Sequence, residues 1–243
     1  SPFWFYNWDG FGHNNDDILN GGDGLWLGFI EDVSFTITGE PFTEATTIAY
    51  PQGWNIISNP LVREITRTEL TVTSGEETIS IDSAIVEGWI TDPLYAYDGT
   101  EYAVAEELTL WDAYWLGVFE EGVSVNYTPH EAIEERQEMR IEYAWQLTIN
   151  DLVFAGYELS ENEWDINDHP LPPIPPAGNY IDMAISHPEW EFVLGDRFRT
   201  DIRPVTTWDE ILEYTVVFLG NGELELDWSI ENIPESEDVG LFL

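Results

Sequence analysis

Apolar and polar residues alternate along this chain in short runs. Val33–Thr38, Glu69–Thr73, Thr78–Ile81, Ala84–Ile90, Gly122–Tyr127, Trp145–Ile149, Leu212–Leu219 and Glu223–Ile230 are alternating or β-branched runs. A period of two places one set of side chains on each face of an extended strand, so each run predicts a half-buried strand. Asp-Gly, Asn-Gly and Asn-Pro dipeptides punctuate the runs, as turns require. The pattern predicts an all-β protein of tandem β-sandwich modules, Ig-like or jelly-roll-like, with little helix. His130–Glu142 is the one helix candidate; its apolar spacing is weak, and a charged strand pair or connector stays open for it. Leu171–Ala177 (LPPIPPA) predicts an extended polyproline segment laid across a surface.

An internal repeat organises these runs. Trp8–Phe29 (WDGFGHNNDDILNGGDGLWLGF) aligns without a gap on Tyr97–Val118 (YDGTEYAVAEELTLWDAYWLGV), 89 residues later. Asp9-Gly10 meets Asp98-Gly99, Leu19 meets Leu108, Asp23 meets Asp112, and Trp26-Leu27-Gly28 meets Trp115-Leu116-Gly117. Both copies continue through acids into a Val-Ser strand and then to a strand opened by Trp, Trp54 in one case and Trp145 in the other. The expected organisation is the end of a truncated repeat at 1–44, a complete repeat at 45–140 and a different C-terminal sandwich at 141–243. A chain entering partway through its own repeat is expected to continue beyond Ser1, and the bare apolar end at Leu243 carries the same expectation.

Charge narrows the function. The 243 residues hold 48 acids against seven bases, a formal net charge of −41. All seven bases are Arg, and Lys is absent. A nucleic-acid partner is excluded, because phosphate binding needs a basic surface. Anionic membrane surfaces are excluded for the same reason. Repulsion of this size calls for screening counter-ions, so a salty or divalent-rich, halophilic setting is expected. Cysteine is absent, which removes disulfides and thiolate chemistry. No apolar run reaches the length of a membrane span, so no membrane insertion is expected. No leading signal peptide is seen; export would require one removed or lying outside this chain.

Several motifs together resemble the C-terminal region of large cell-surface and secreted proteins of the Bacteroidetes, many exported by the type IX route. They are GWNIISNPL (Gly53–Leu61), the aromatic-Asp-Gly turns, the run LNGGDGLWL (Leu19–Leu27), and the later series WDINDHPLPPIPP, HPEW and TDIRP, a Trp-led strand and LELDW. The resemblance implies β-sandwich modules that display, space or anchor something else, in an extracellular or cell-surface location. It implies no catalytic residues.

Two acidic clusters are candidate Ca²⁺ sites, since hard cations take several oxygens from carboxylates, carbonyls and Asn. The first holds Asp9, Asp16, Asp17 and Asp23; its spacing is not that of an EF-hand, and its Asn14, Asn15 and Asp16 become Ala103, Val104 and Ala105 in the second copy. The second holds Asp165 and Asp168 with Asn167. Beside the metal stands a structural alternative: Asp9-Gly10 and Asp98-Gly99 as tight turns, Asp165 to Asp168 as an Asx turn, and Asp201 with Arg203 as a pair pinning that loop. Calcium is the only cofactor suggested.

Catalysis finds little footing. The chain has no Gly-x-Ser-x-Gly elbow and no His-Glu-x-x-His helix, and its four histidines show no ligand spacing. Carboxylate pairs carry no information among 48 acids. Trp4, Trp8, Trp164 and Trp190 lie in loop-like sequence and are candidates for contact with a glycan or a protein partner. Trp26 and Trp115, with the other strand tryptophans, are expected in the core. Asn126-Tyr127-Thr128 is a sequon, and Asp82-Ser83-Ala84 resembles a short O-glycosylation signal. The expected function is a non-catalytic structural or display segment of a bacterial surface protein, assembled with neighbouring modules or copies of itself into a filament or layer. The alternative is a carbohydrate-binding accessory region of a secreted hydrolase.

Overall fold

The computed structural model describes residues 3–10, 12–14, 20–29, 42, 44–128, 142–176, 180–205, 212–220, 223 and 225–232. The expected strand Val33–Thr38 and all but the last residue of the helix candidate His130–Glu142 lie outside them. The described chain is mostly strand, in several largely antiparallel sheets, with one short α-helix. It divides into two compact units, one of 1–137 with 172–180, the other of 138–171 with 181–243.

In the first unit, one four-stranded sheet runs Tyr102–Val104, Tyr95–Tyr97, Ala113–Val118, Gly53–Ser58, all antiparallel. A second runs Thr46–Ala49, Val123–Tyr127, Thr71–Ser74, Glu77–Ser80. The buried cluster draws on both: Ile57, Tyr114, Leu116 and Val118 from one, Val72, Val123, Val125 and Tyr127 from the other. Val123–Tyr127 shows how the sequence does this. Val123, Val125 and Tyr127 are buried while Ser124 and Asn126 lie further out, the period of two in one strand. Each such fully buried apolar side chain contributes about 1.5–3 kcal/mol. The one hydroxyl this strand buries is matched, Tyr127 lying 2.9 Å from the Tyr50 hydroxyl. Asn126 is also engaged, donating to Thr71 and Thr73, so this sequon asparagine is tied into the sheet.

A three-stranded sheet of His13–Asn14, Phe3–Trp8 and Trp26–Phe29 completes the regular structure near the start of the chain. Its pairing can be set against the second copy of the motif. Trp8 pairs with His13 and Tyr97 with Tyr102; Tyr6 pairs with Trp26 and Tyr95 with Trp115. Each pair stands 89 positions from its counterpart.

The expected strand Ala84–Ile90 is replaced by the helix Ile81–Val86. The reason is local: the Ser80 hydroxyl accepts the Ser83 N–H at 3.1 Å, and Asp82 sits in the first turn, both of which favour a helix start over a ladder. Glu69–Thr73 likewise begins as a 3₁₀ turn, Arg67–Glu69, before the strand Thr71–Ser74. Glu223–Ile230 contracts to Trp228–Glu231, and of Leu212–Leu219 only Val216–Leu219 is strand among the described residues.

The second unit pairs Trp145–Ile149 with Leu152–Gly156 on one side and Trp228–Glu231 on the other. Leu152–Gly156 also takes Thr200–Arg203 as a parallel neighbour. Asp182–Ser186 pairs with Arg197–Phe198 and Val216–Leu219 in a three-stranded sheet. Trp145, Leu152, Phe154, Met183, Ile185 and Phe198 form its core.

Candidate functional site

An aromatic groove of about 610 Å³ opens on the first unit. Two tight turns build its polar side. The Asp98-Gly99 turn joins Tyr95–Tyr97 to Tyr102–Val104, with Gly99 at φ +105°, a conformation open to glycine. Asp98 Oδ1 accepts the N–H of Thr100 at 2.8 Å, that of Glu101 at 3.0 Å and the Thr100 hydroxyl at 2.8 Å. The Glu101 and Thr100 donors hold this carboxyl below its ordinary pKa. The second turn runs Thr109–Asp112, where the Thr109 hydroxyl donates to Asp112 Oδ2 at 2.5 Å. In each case the bonds found among the described residues use one oxygen, leaving the other carboxylate oxygen as an acceptor.

Trp111 lies in the second turn and lines the same groove, at φ +74° and 84% exposed. The left-handed region is uncommon for a bulky side chain, so both its backbone and its exposure need a reason. In the first copy the position 89 residues earlier is Gly22, at φ +92°. There the chain runs against Gly53–Ser58, with Ser58 N donating to the Gly22 carbonyl at 2.8 Å, and a side chain would collide with Ile48. Trp111 keeps the turn but carries a large ring into solvent.

Trp26, Tyr97 and Trp115 supply the apolar side of the groove. Trp26 meets Tyr97 edge-on with centroids 4.8 Å apart. The Trp26 Nε1 and Tyr97 hydroxyl are buried without a hydrogen-bond partner among the described residues. Trp115 is fixed from behind: its Nε1 donates to the Tyr102 hydroxyl at 3.1 Å, which donates to the Pro173 carbonyl at 2.7 Å. Trp8, His13 and Trp54 surround Trp115 edge-on. No Arg or His is found among the described residues that line the groove.

The other residues singled out in the sequence are placed as follows. Asp9 Oδ1 accepts the Gly12 N–H at 2.9 Å, and Asp23 Oδ2 accepts from Asn20 N at 2.8 Å and Nδ2 at 3.0 Å. Asp16 and Asp17 lie outside the described residues. Asp165 accepts the N–H groups of Asn167 and Glu161, and Asp168 those of Asp165 and Ile202. Among the described residues no three His, Asp or Glu side chains gather as a metal site. Trp4 lies in the strand Phe3–Trp8, opposite Gly28. Trp8 is half-buried, with its ring 5.3 Å from Trp115. Trp164 stacks on Phe192 at 4.3 Å, and Trp190 on His187 at 3.7 Å.

A buried charge network lies in the second unit. His187, 4% exposed, places Nε2 at 2.8 Å from Asp201 and Nδ1 at 2.7 Å from Glu189. Arg203 joins Asp201 at 2.9 Å and lies over the Tyr214 ring. Burial lowers the His187 pKa, but its bonds to Asp201 and Glu189 outweigh this and leave it raised. Burial works to raise Asp201, while His187 and Arg203 hold it below its ordinary value. Burial pushes Asp168 up to about 8 against the N–H bonds it accepts. With one ring face covered by Trp190 and both nitrogens taken, His187 is an internal strut and offers no open face for chemistry.

Sequence reasoning passed over Trp111. Its one signal was the alignment itself, which sets a tryptophan where the other copy has glycine. No family model matches the chain, and no match to it is found among the curated proteins or the solved structures.

Proposed function

We propose that the chain is a non-catalytic structural and display segment of a bacterial extracellular or cell-surface protein, built of tandem β-sandwich modules. The observation that carries this reading is the common pairing 89 residues apart: Trp8 with His13 and Tyr97 with Tyr102, Tyr6 with Trp26 and Tyr95 with Trp115. A unit used twice with the same turn and the same partners is the economy of an array, in which each module stabilises its neighbour. Neighbouring modules or further copies of the chain are then the natural partners. The charge of −41 supports a setting rich in salt or divalent cations, where such a surface is screened. The sequence resemblance to Bacteroidetes surface proteins points the same way.

A spacer is a mechanical element, and pulling tests it. Stretching the chain between terminal handles is expected to give discrete, separately resolved unfolding events. A single featureless extension would overturn the modular spacer.

A further inference from the structure

We infer that the groove holding Trp111 is a binding site for a neutral carbohydrate. This stands apart from the display role and would hold in any setting of the chain. The groove lies within the roughly 300–1,000 Å³ common to small-ligand sites. Its chemistry selects the occupant by elimination. Two carboxylates, with no base among the described lining residues, turn away phosphates, sulfated sugars and uronic acids. A purely apolar ligand would cover the free oxygens of Asp98 and Asp112 without bonding them, at a cost for each group. A cation would satisfy those carboxylates and sit well against the rings. A small cation, however, would leave most of a groove of about 610 Å³ and the exposed Trp111 indole uncovered.

A sugar meets each of these demands: its hydroxyls donate to Asp98 and Asp112, while its C–H faces lie against the exposed Trp111 indole. Trp111 then has a reason for its backbone. Strain persists where structure over-determines it and clusters at ligand clamps. At φ +74° this turn presents an indole to solvent beside the two carboxylates, where the other copy, with Gly22, presents nothing.

The test is titration calorimetry of the intact chain with neutral oligosaccharides of glucose, mannose, galactose and xylose, and with an Arg-rich peptide. At least one neutral glycan is expected to bind. Trp111→Gly is expected to weaken that binding at least tenfold, and Trp111→Asn likewise, since both residues accept a left-handed backbone and keep the turn. Trp228→Ala removes a tryptophan that is 54% exposed and is not among the residues lining the groove, and it is expected to leave binding unchanged. Melting curves of all three variants check folding, and that of Trp111→Gly is expected to be no lower than that of the parent chain. Failure of every neutral glycan to bind at millimolar concentration overturns the inference. So does glycan binding that survives both Trp111 substitutions, or binding of the peptide alone.

Discussion

Trp111 and His187 are both special residues, and their surroundings separate their roles. Trp111 is strained, exposed and on a groove it shares with the carboxylates Asp98 and Asp112, the combination that points outward to a ligand. His187 is unexposed and fully bonded, the combination that points inward to stability. Its charged form is held by Asp201 and Glu189, so the folded unit keeps a proton that the unfolded chain releases near pH 6.5. That contribution is complete below pH 6.5 and is lost as pH rises through the raised folded value. Asp168 acts in the same direction, retaining its proton up to about pH 8 when folded and releasing it near 3.8 when unfolded. Urea melts are therefore expected to show stability falling between pH 6.5 and 8, with a shallower fall in His187→Gln. A profile that is flat, or that rises across this window, would contradict the assignment.

At the scale of elements, what could be seen in the sequence was what local chemistry decides. Trp145–Ile149 is a strand with the expected bounds, and Asp9-Gly10 and Asp98-Gly99 sit in turns, because alternation and positive φ are local demands. Ala84–Ile90 looked like a strand by composition, yet the Ser80 cap and Asp82 start a helix three residues earlier. The parallel pairing of Leu152–Gly156 with Thr200–Arg203 had no local signal, since its two strands are joined through a long excursion of the chain. The turns offer a clean test. A Cβ at Gly99 would meet nothing within 4 Å, so Gly99→Ala introduces backbone strain without a clash. It is expected to destabilise the first unit by about 1–3 kcal/mol in urea denaturation. No measurable loss would mean the turn relaxes freely and does not fix the hairpin.

At the scale of the whole molecule, charge dominates. Among the described residues, arginines are spent in ion pairs of the fold: Arg63 with Glu69, Arg67 with Asp82 and Asp92, Arg199 with Asp151 and Asp182, and Arg203 with Asp201. Bidentate guanidinium pairing such as Arg63 with Glu69 is work that Arg does better than Lys, which fits a chain with no Lys at all. The remaining acids repel one another, and screening shortens the reach of that repulsion from about 10 Å at 0.1 M salt to about 3 Å at 1 M. The melting temperature is expected to rise by several degrees between low salt and molar NaCl; an unchanged value would show that the repulsion is not felt.

Composition made this scale the most legible from sequence, whereas the groove was the least. Twelve tryptophans spread along the chain do not announce which of them face solvent. Trp8, Trp164 and Trp190 are candidate platforms from their loop-like sequence, and each is half-buried and in contact with another ring. The display role itself is a statement about where the molecule works. Antibody raised against this chain, applied to intact cells that produce it, tests that role most directly. The account predicts labelling of the outer face without permeabilisation; labelling that appears only after the envelope is opened would contradict it.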